Sequence, residues 1–113
     1  MFSDRERSRL NDIVENADAI AEYVGDMDFA GFSTDRKTVD AVERCLHRIS
    51  EAVIQIGPER IKLVDPAISS AQLRGLGNFL RHEYFRVDLG TIYRSALDDV
   101  PALRDAAVRA LEG

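Results

Sequence analysis

Two long apolar stripes with a period of three to four residues, and no stretch alternating with period two, most narrow what this chain can fold into. Leu10, Ile13, Val14, Ala17, Ile20, Ala21 and Val24 form the first stripe. Ser3 and Glu6 stand before it at the spacing of a capping box, and Gly25 follows it as a stop. The second stripe is Val39, Val42, Leu46, Ile49, Val53 and Ile56, opened by Thr34 and Asp35 and ended by Gly57-Pro58. Between the two helices, residues 26–33 read as a loop whose Phe29 and Phe32 pack against the core. Beyond Pro58 and Pro66, Ser69 or Ser70 can cap a third helix running through Leu73, Leu76, Leu80 and about Tyr84. Asp88 can cap a fourth with Leu89, Ile92, Tyr93, Ala96 and Leu97 as its apolar positions. Asp99 and Pro101 read as the opening of a short last helix through Leu103, Ala107 and Leu111. Long helices with short links predict an all-α, up-down bundle of four to five helices.

With 113 residues the chain is sized for one domain over 1–113, and 45% hydrophobic residues can supply its core. No apolar run is long enough to span a bilayer, and the start of the chain has no signal-peptide core. Cys45 is the only cysteine, which excludes an internal disulfide and a cysteine-rich metal site. Cys45 reads as a buried small hydrophobe. These features predict a cytoplasmic protein with no membrane contact. The net charge of −5 argues against indiscriminate nucleic-acid binding. Arg74, Arg81, Arg86 and Arg94, with His82, nevertheless gather in one stretch that holds only Glu83 and Asp88 as acids. That strip is compatible with a local phosphate site or with an ordinary solvated helix face.

The residues from Arg74 to Tyr84 carry the chemistry. Gly75 and Gly77 each cost a helix about 1 kcal/mol relative to alanine. Close approach of a ligand or another backbone would offset that cost, and so would tight helix packing. Asn78 and His82, four apart, share a helix face, and Arg74 extends it by a turn. Imidazole titrates near neutrality and can move a proton; arginine can stabilise a phosphoryl transition state. His82-Glu83 does not form a zinc-binding helix motif, so neither a metal nor another cofactor is expected. His47 reads as a flank residue of the second helix with no role.

The segment Arg74-Gly75-Leu76-Gly77-Asn78-Phe79-Leu80-Arg81-His82-Glu83-Tyr84 resembles the signature of HepT-like proteins of the HEPN fold. Ile13-Val14-Glu15-Asn16-Ala17-Asp18 resembles the family's first helix, and Arg48-Ile49-Ser50-Glu51-Ala52 its second. Val87-Asp88 and Val100-Pro101-Ala102-Leu103 resemble its C-terminal end. The resemblance implies a homodimeric, metal-independent RNase toxin whose motif helices build a composite RNA cleft. It also implies a partner, a minimal MNT-type nucleotidyltransferase antitoxin that silences the toxin by transferring AMP to the motif tyrosine. Asn78, His82 and Tyr84 fall on the motif's Asn, His and Tyr positions, and Glu51 is placed near the cleft. The motif's Arg position holds Gly77. Arg81, one turn on and about 6 Å further along the helix, leans back toward Gly77. Arg74 could instead approach His82 of a second subunit. The alternative implied by Gly77 is a noncatalytic nucleotide- or RNA-binding partner of a small nucleotidyltransferase.

Overall fold

The computed structural model describes residues 1–73, 75 and 88–113. Among them are six helices and no strand: α1 (Asp4–Val24), α2 (Phe29–Thr34), α3 (Arg36–Ile56), α4 (Pro58–Val64), α5 (Leu89–Arg94) and α6 (Val100–Glu112). A helical turn also covers residues 70–73.

The capping chemistry expected for α1 is present in full. Glu6 donates its backbone N–H to Ser3 Oγ at 3.0 Å, and Glu6 Oε1 accepts from the Ser3 N–H at 2.9 Å. Gly25 ends the helix at φ 54°, a conformation open to glycine. Leu10, Ile13, Ala17, Ile20 and Val24 are buried, as the stripe predicts. Asp35 caps α3 through the Thr38 N–H, and Gly57 ends it at φ 92°. Val39, Val42, Leu46, Ile49, Val53 and Ile56 are all buried, together with Cys45, Ser50 and Ala52. This wider arc lets α3 pack on more than one neighbour.

α1 and α3 make the principal helix pair, and α6 packs on the other flank of α1. Polar contacts set the directions. Arg7, near the start of α1, donates to the carbonyl of Leu111 near the end of α6 at 3.0 Å. Further along, Asp18 meets Arg104 at 3.0 Å. These two contacts make α1 and α6 antiparallel. The core between the helices includes Leu10, Ile13, Ile20, Val42, Ile49, Ile61 and Ile92. Full burial of such a side chain stabilises by about 1.5–3 kcal/mol before chain entropy is counted.

Three expectations need correction. Residues 26–33 were expected as loop, but Phe29–Thr34 form α2, with Asp28 capping the Gly31 N–H at 2.8 Å. Phe32 is fully buried there, whereas Phe29 is 44% exposed and meets Tyr93 edge-on. The last helix opens after Asp99, as expected, but it continues from α5 without a break. A π turn at Ser95–Asp99 joins α5 to α6, and the Val100 N–H bonds the Ser95 carbonyl. Pro101 has no N–H for the carbonyl of Leu97, and the helix widens just before it. Leu97, expected as a core position, lies on this turn and is 48% exposed.

Candidate functional site

The proposed site residues Arg74, Asn78, Arg81, His82 and Tyr84 lie outside the described residues, as do Gly77 and Arg86. What is described is how the chain enters and leaves the stretch that carries them. On the entry side, Asp65 closes a turn: its Oδ1 accepts from the Ala67 N–H and its carbonyl from the Ile68 N–H. Ser69 then caps the helical turn. Gln72 donates its N–H to Ser69 Oγ at 3.0 Å, and Gln72 Oε1 accepts from the Ser69 N–H at 2.8 Å. This is the capping box again, with glutamine in place of glutamate. The choice left open between Ser69 and Ser70 falls to Ser69. Leu73 packs part-buried against the core, so the turn is anchored by an apolar contact as well.

On the exit side, Asp88 caps α5. Its carboxylate accepts from the Gly90 N–H at 3.3 Å and from Thr91 Oγ1 at 3.1 Å. Ile92 is buried, and Tyr93 donates its hydroxyl to the Met27 carbonyl at 2.6 Å. The stretch from Arg74 to Val87 therefore runs between two side-chain caps, each tied to the core by an adjacent apolar residue.

Gly75 is exposed, and a Cβ built there would meet no atom of the described residues within 4 Å.

The other sequence candidates are placed as follows. Glu51 is exposed and accepts from Gln55 Nε2 at 3.2 Å. His47 is half-buried on the flank of α3, as expected. Cys45 is buried, and that burial pushes its thiol pKa up, against a weaker opposing pull from Arg48. A thiol held protonated is a poor nucleophile, in keeping with the packing role expected of it. Burial, and then Asp40, push the Glu43 carboxyl up. Ser50, a turn beyond His47, is fully buried, and its hydroxyl has no hydrogen-bond partner among the described residues. Sequence reasoning did not single out Ser50; its i+4 spacing from Leu46 on the buried arc was the available signal. Among the described residues no group of three His, Cys, Asp or Glu could hold a metal ion.

Comparison with known proteins decides the family. Residues 13–110 match the family described as "Ribonuclease HepT-like". This chain belongs to that family. Its all-α bundle is accordingly the HEPN fold. Two proteins of Methanocaldococcus jannaschii are similar over most of both chains. One, named "Putative RNase MJ0125", is 36% identical over 95 residues, covering 84% of this chain and 81% of that protein. The other, named "Putative RNase MJ1216", is 33% identical over 107 residues, covering 92% and 88%. A Thermococcus cleftensis protein named "Probable ribonuclease HepT" is 34% identical over 95 residues, covering 84% and 86%. No solved structure is significantly similar to the chain.

Proposed function

We propose that this HepT-like chain is a metal-independent endoribonuclease. In this reading it is the toxin of a pair whose antitoxin is a small MNT-type nucleotidyltransferase, and its site lies at the cleft of a homodimer. The observation that carries the reading is the family match over residues 13–110, which encloses the ordered Arg74, Asn78, Arg81, His82 and Tyr84 strip. In the reaction, the 2′-hydroxyl of RNA attacks the adjacent phosphorus. The O2′–P bond forms and the P–O5′ bond breaks, leaving a 2′,3′-cyclic phosphate and a 5′-hydroxyl. His82 takes the proton from O2′ or delivers one to O5′. Arg81 or Arg74 stabilises the charge on the phosphorane, and Asn78 holds an oxygen or orients His82. The need for a 2′-hydroxyl restricts cleavage to RNA.

Incubation with total RNA in the presence of EDTA tests this. Wild type should cleave, and His82→Ala should not while keeping the same thermal unfolding. Equal cleavage by both proteins, or cleavage only with added divalent metal, would rule the mechanism out.

Gly77 favours a second reading, because the family's motif arginine is missing there. In that reading the chain is a noncatalytic nucleotide- or RNA-binding partner of the nucleotidyltransferase. It takes precedence if neither wild type nor His82→Ala cleaves.

A further inference from the structure

A cleft of about 290 Å³ opens where the first turns of α1 meet the last turn of α3, lined by Ser3, Arg5, Glu6, Arg9, Gln55 and Ile56. Its charge follows from who is already paired. Arg60 donates its Nε to Glu6 Oε2 at 2.8 Å and its Nη2 to Glu6 Oε1 at 3.1 Å. Arg60 also donates to the Met1 carbonyl and lies over the Phe2 ring, 5.2 Å from its centroid. The hydrogen bond from Arg60, then that from Ser3, hold the Glu6 carboxyl at a pKa of about 2. Glu6 is thus ionised and neutralised by one arginine, which leaves Arg5 and Arg9 to set the sign.

Arg5 is exposed and makes no hydrogen bond or ion pair with the described residues. Among the described residues Arg9 reaches only Asp12, at 3.5 Å, with both side chains partly exposed. An exposed pair of that length holds weakly and gives way readily to a better anion. Gln55 uses its amide nitrogen on Glu51 and lines the cleft's far wall. Arg5 and Arg9 are four residues apart on one helix, so they rise from one face about 6 Å apart. Two guanidiniums so placed, beside a carboxylate that is already satisfied, suit neighbouring phosphates of one strand.

We propose that this cleft is an auxiliary subsite for the sugar–phosphate backbone of single-stranded RNA, with Arg5 and Arg9 as its phosphate ligands. The inference rests on the ribonuclease reading and adds a positioning site formed by α1 and α3. Phosphate contacts of this kind set the register of a strand without reading its bases.

The test uses the full chain carrying His82→Ala, so that bound RNA stays intact, and a fluorescently labelled single-stranded RNA. Anisotropy titrations across a salt series compare this background with the same chain carrying Arg5→Gln and Arg9→Gln. Arg36→Gln is the control, since that arginine is 92% exposed and among the described residues pairs only with Asp40. Each phosphate contact contributes a salt slope of about −0.7 for a single strand, or roughly fourfold in affinity near 0.15 M salt. The double variant should bind on the order of tenfold more weakly, with a slope shallower by about 1.4. The control should match the background. If the double variant unfolds at a lower temperature, the single variants carry the test, each with about fourfold weakening. Binding by the background chain with unchanged affinity and slope in the arginine variants overturns the subsite and leaves the ribonuclease reading standing. No RNA binding by the background chain overturns the subsite, and absence of cleavage by the wild-type chain as well overturns the ribonuclease reading.

Discussion

Arg60 grips Glu6 through both carboxylate oxygens, at 2.8 and 3.1 Å, across 54 residues of chain. The contact fastens α4 to the first turn of α1, where Glu6 also completes the cap with Ser3. Its pH dependence has a definite sign. The carboxyl titrates at about 2 when folded, against an ordinary value of 4.5. A lowered pKa contributes stability that is fully present above about pH 4.5 and is lost as pH falls toward 2. Glu6→Gln keeps a capping-competent side chain and removes the charge. The gap in melting temperature between wild type and Glu6→Gln should therefore be widest above pH 5 and should close on acidification. A gap that stays constant down to pH 2.5 would show that the ion pair contributes nothing to this dependence.

Ser50 yields the opposite sign of effect. Its hydroxyl is fully buried and has no partner among the described residues. An unsatisfied buried polar group costs about 1–3 kcal/mol, and alanine removes it at the loss of one small atom. Ser50→Ala should raise unfolding free energy by about 1 kcal/mol in urea titrations. A loss of stability would mean that the hydroxyl has a partner in the protein in solution.

The place of the missing motif arginine is testable by substitution. Arg81→Ala should reduce RNA cleavage or binding more than Arg86→Ala, because Arg86 lies beyond the strip. Losing one charge-stabilising contact to a transition state costs on the order of a hundredfold or more in rate. Adding Gly77→Arg to Arg81→Ala should recover part of the loss. Should both results fail while Arg74→Ala has the large effect, the cation comes from Arg74, and mixed dimers of Arg74→Ala with His82→Ala would show whether it crosses between subunits.

Control of the activity should run through Tyr84. AMP on its phenol adds a phosphate charge and a base where RNA must approach the arginines. Incubation with the partner nucleotidyltransferase, ATP and magnesium should add one AMP mass per modified chain, mapped to Tyr84 by peptide mass spectrometry. Tyr84→Phe should escape inhibition. Full inhibition of Tyr84→Phe would leave complex formation as the means of silencing.

Much of the fold could be read from the chain because α1 and α3 state their periods and their caps locally. Ser3 with Glu6 and Asp35 with Thr38 are short-range contacts, visible as spacings. α2 was hidden because a six-residue helix has too few turns to show a period, and its signal is the single cap from Asp28. Asp99 and Pro101 marked the opening of the last helix, but the π turn that joins it to α5 around the missing N–H has no such local signal. The same turn places Leu97 outward. The candidate site is proposed from residue types in order along Arg74 to Tyr84, which lie outside the described residues. The Arg5 and Arg9 cleft was not legible in the chain, because only the packing of α1 against the end of α3 puts Gln55 and Ile56 opposite them.

The bond from Arg7 to the carbonyl of Leu111 has a consequence for engineering. It sets the opening of α1 beside the close of α6, so the first and last helices leave the bundle at the same end. A tag on either end would crowd the same surface, and tags on both would crowd each other. By the same geometry the ends lie close enough for a short linker to join them. The bundle is thus suited to circular permutation, with new ends opened in a turn between helices such as that at Gly57.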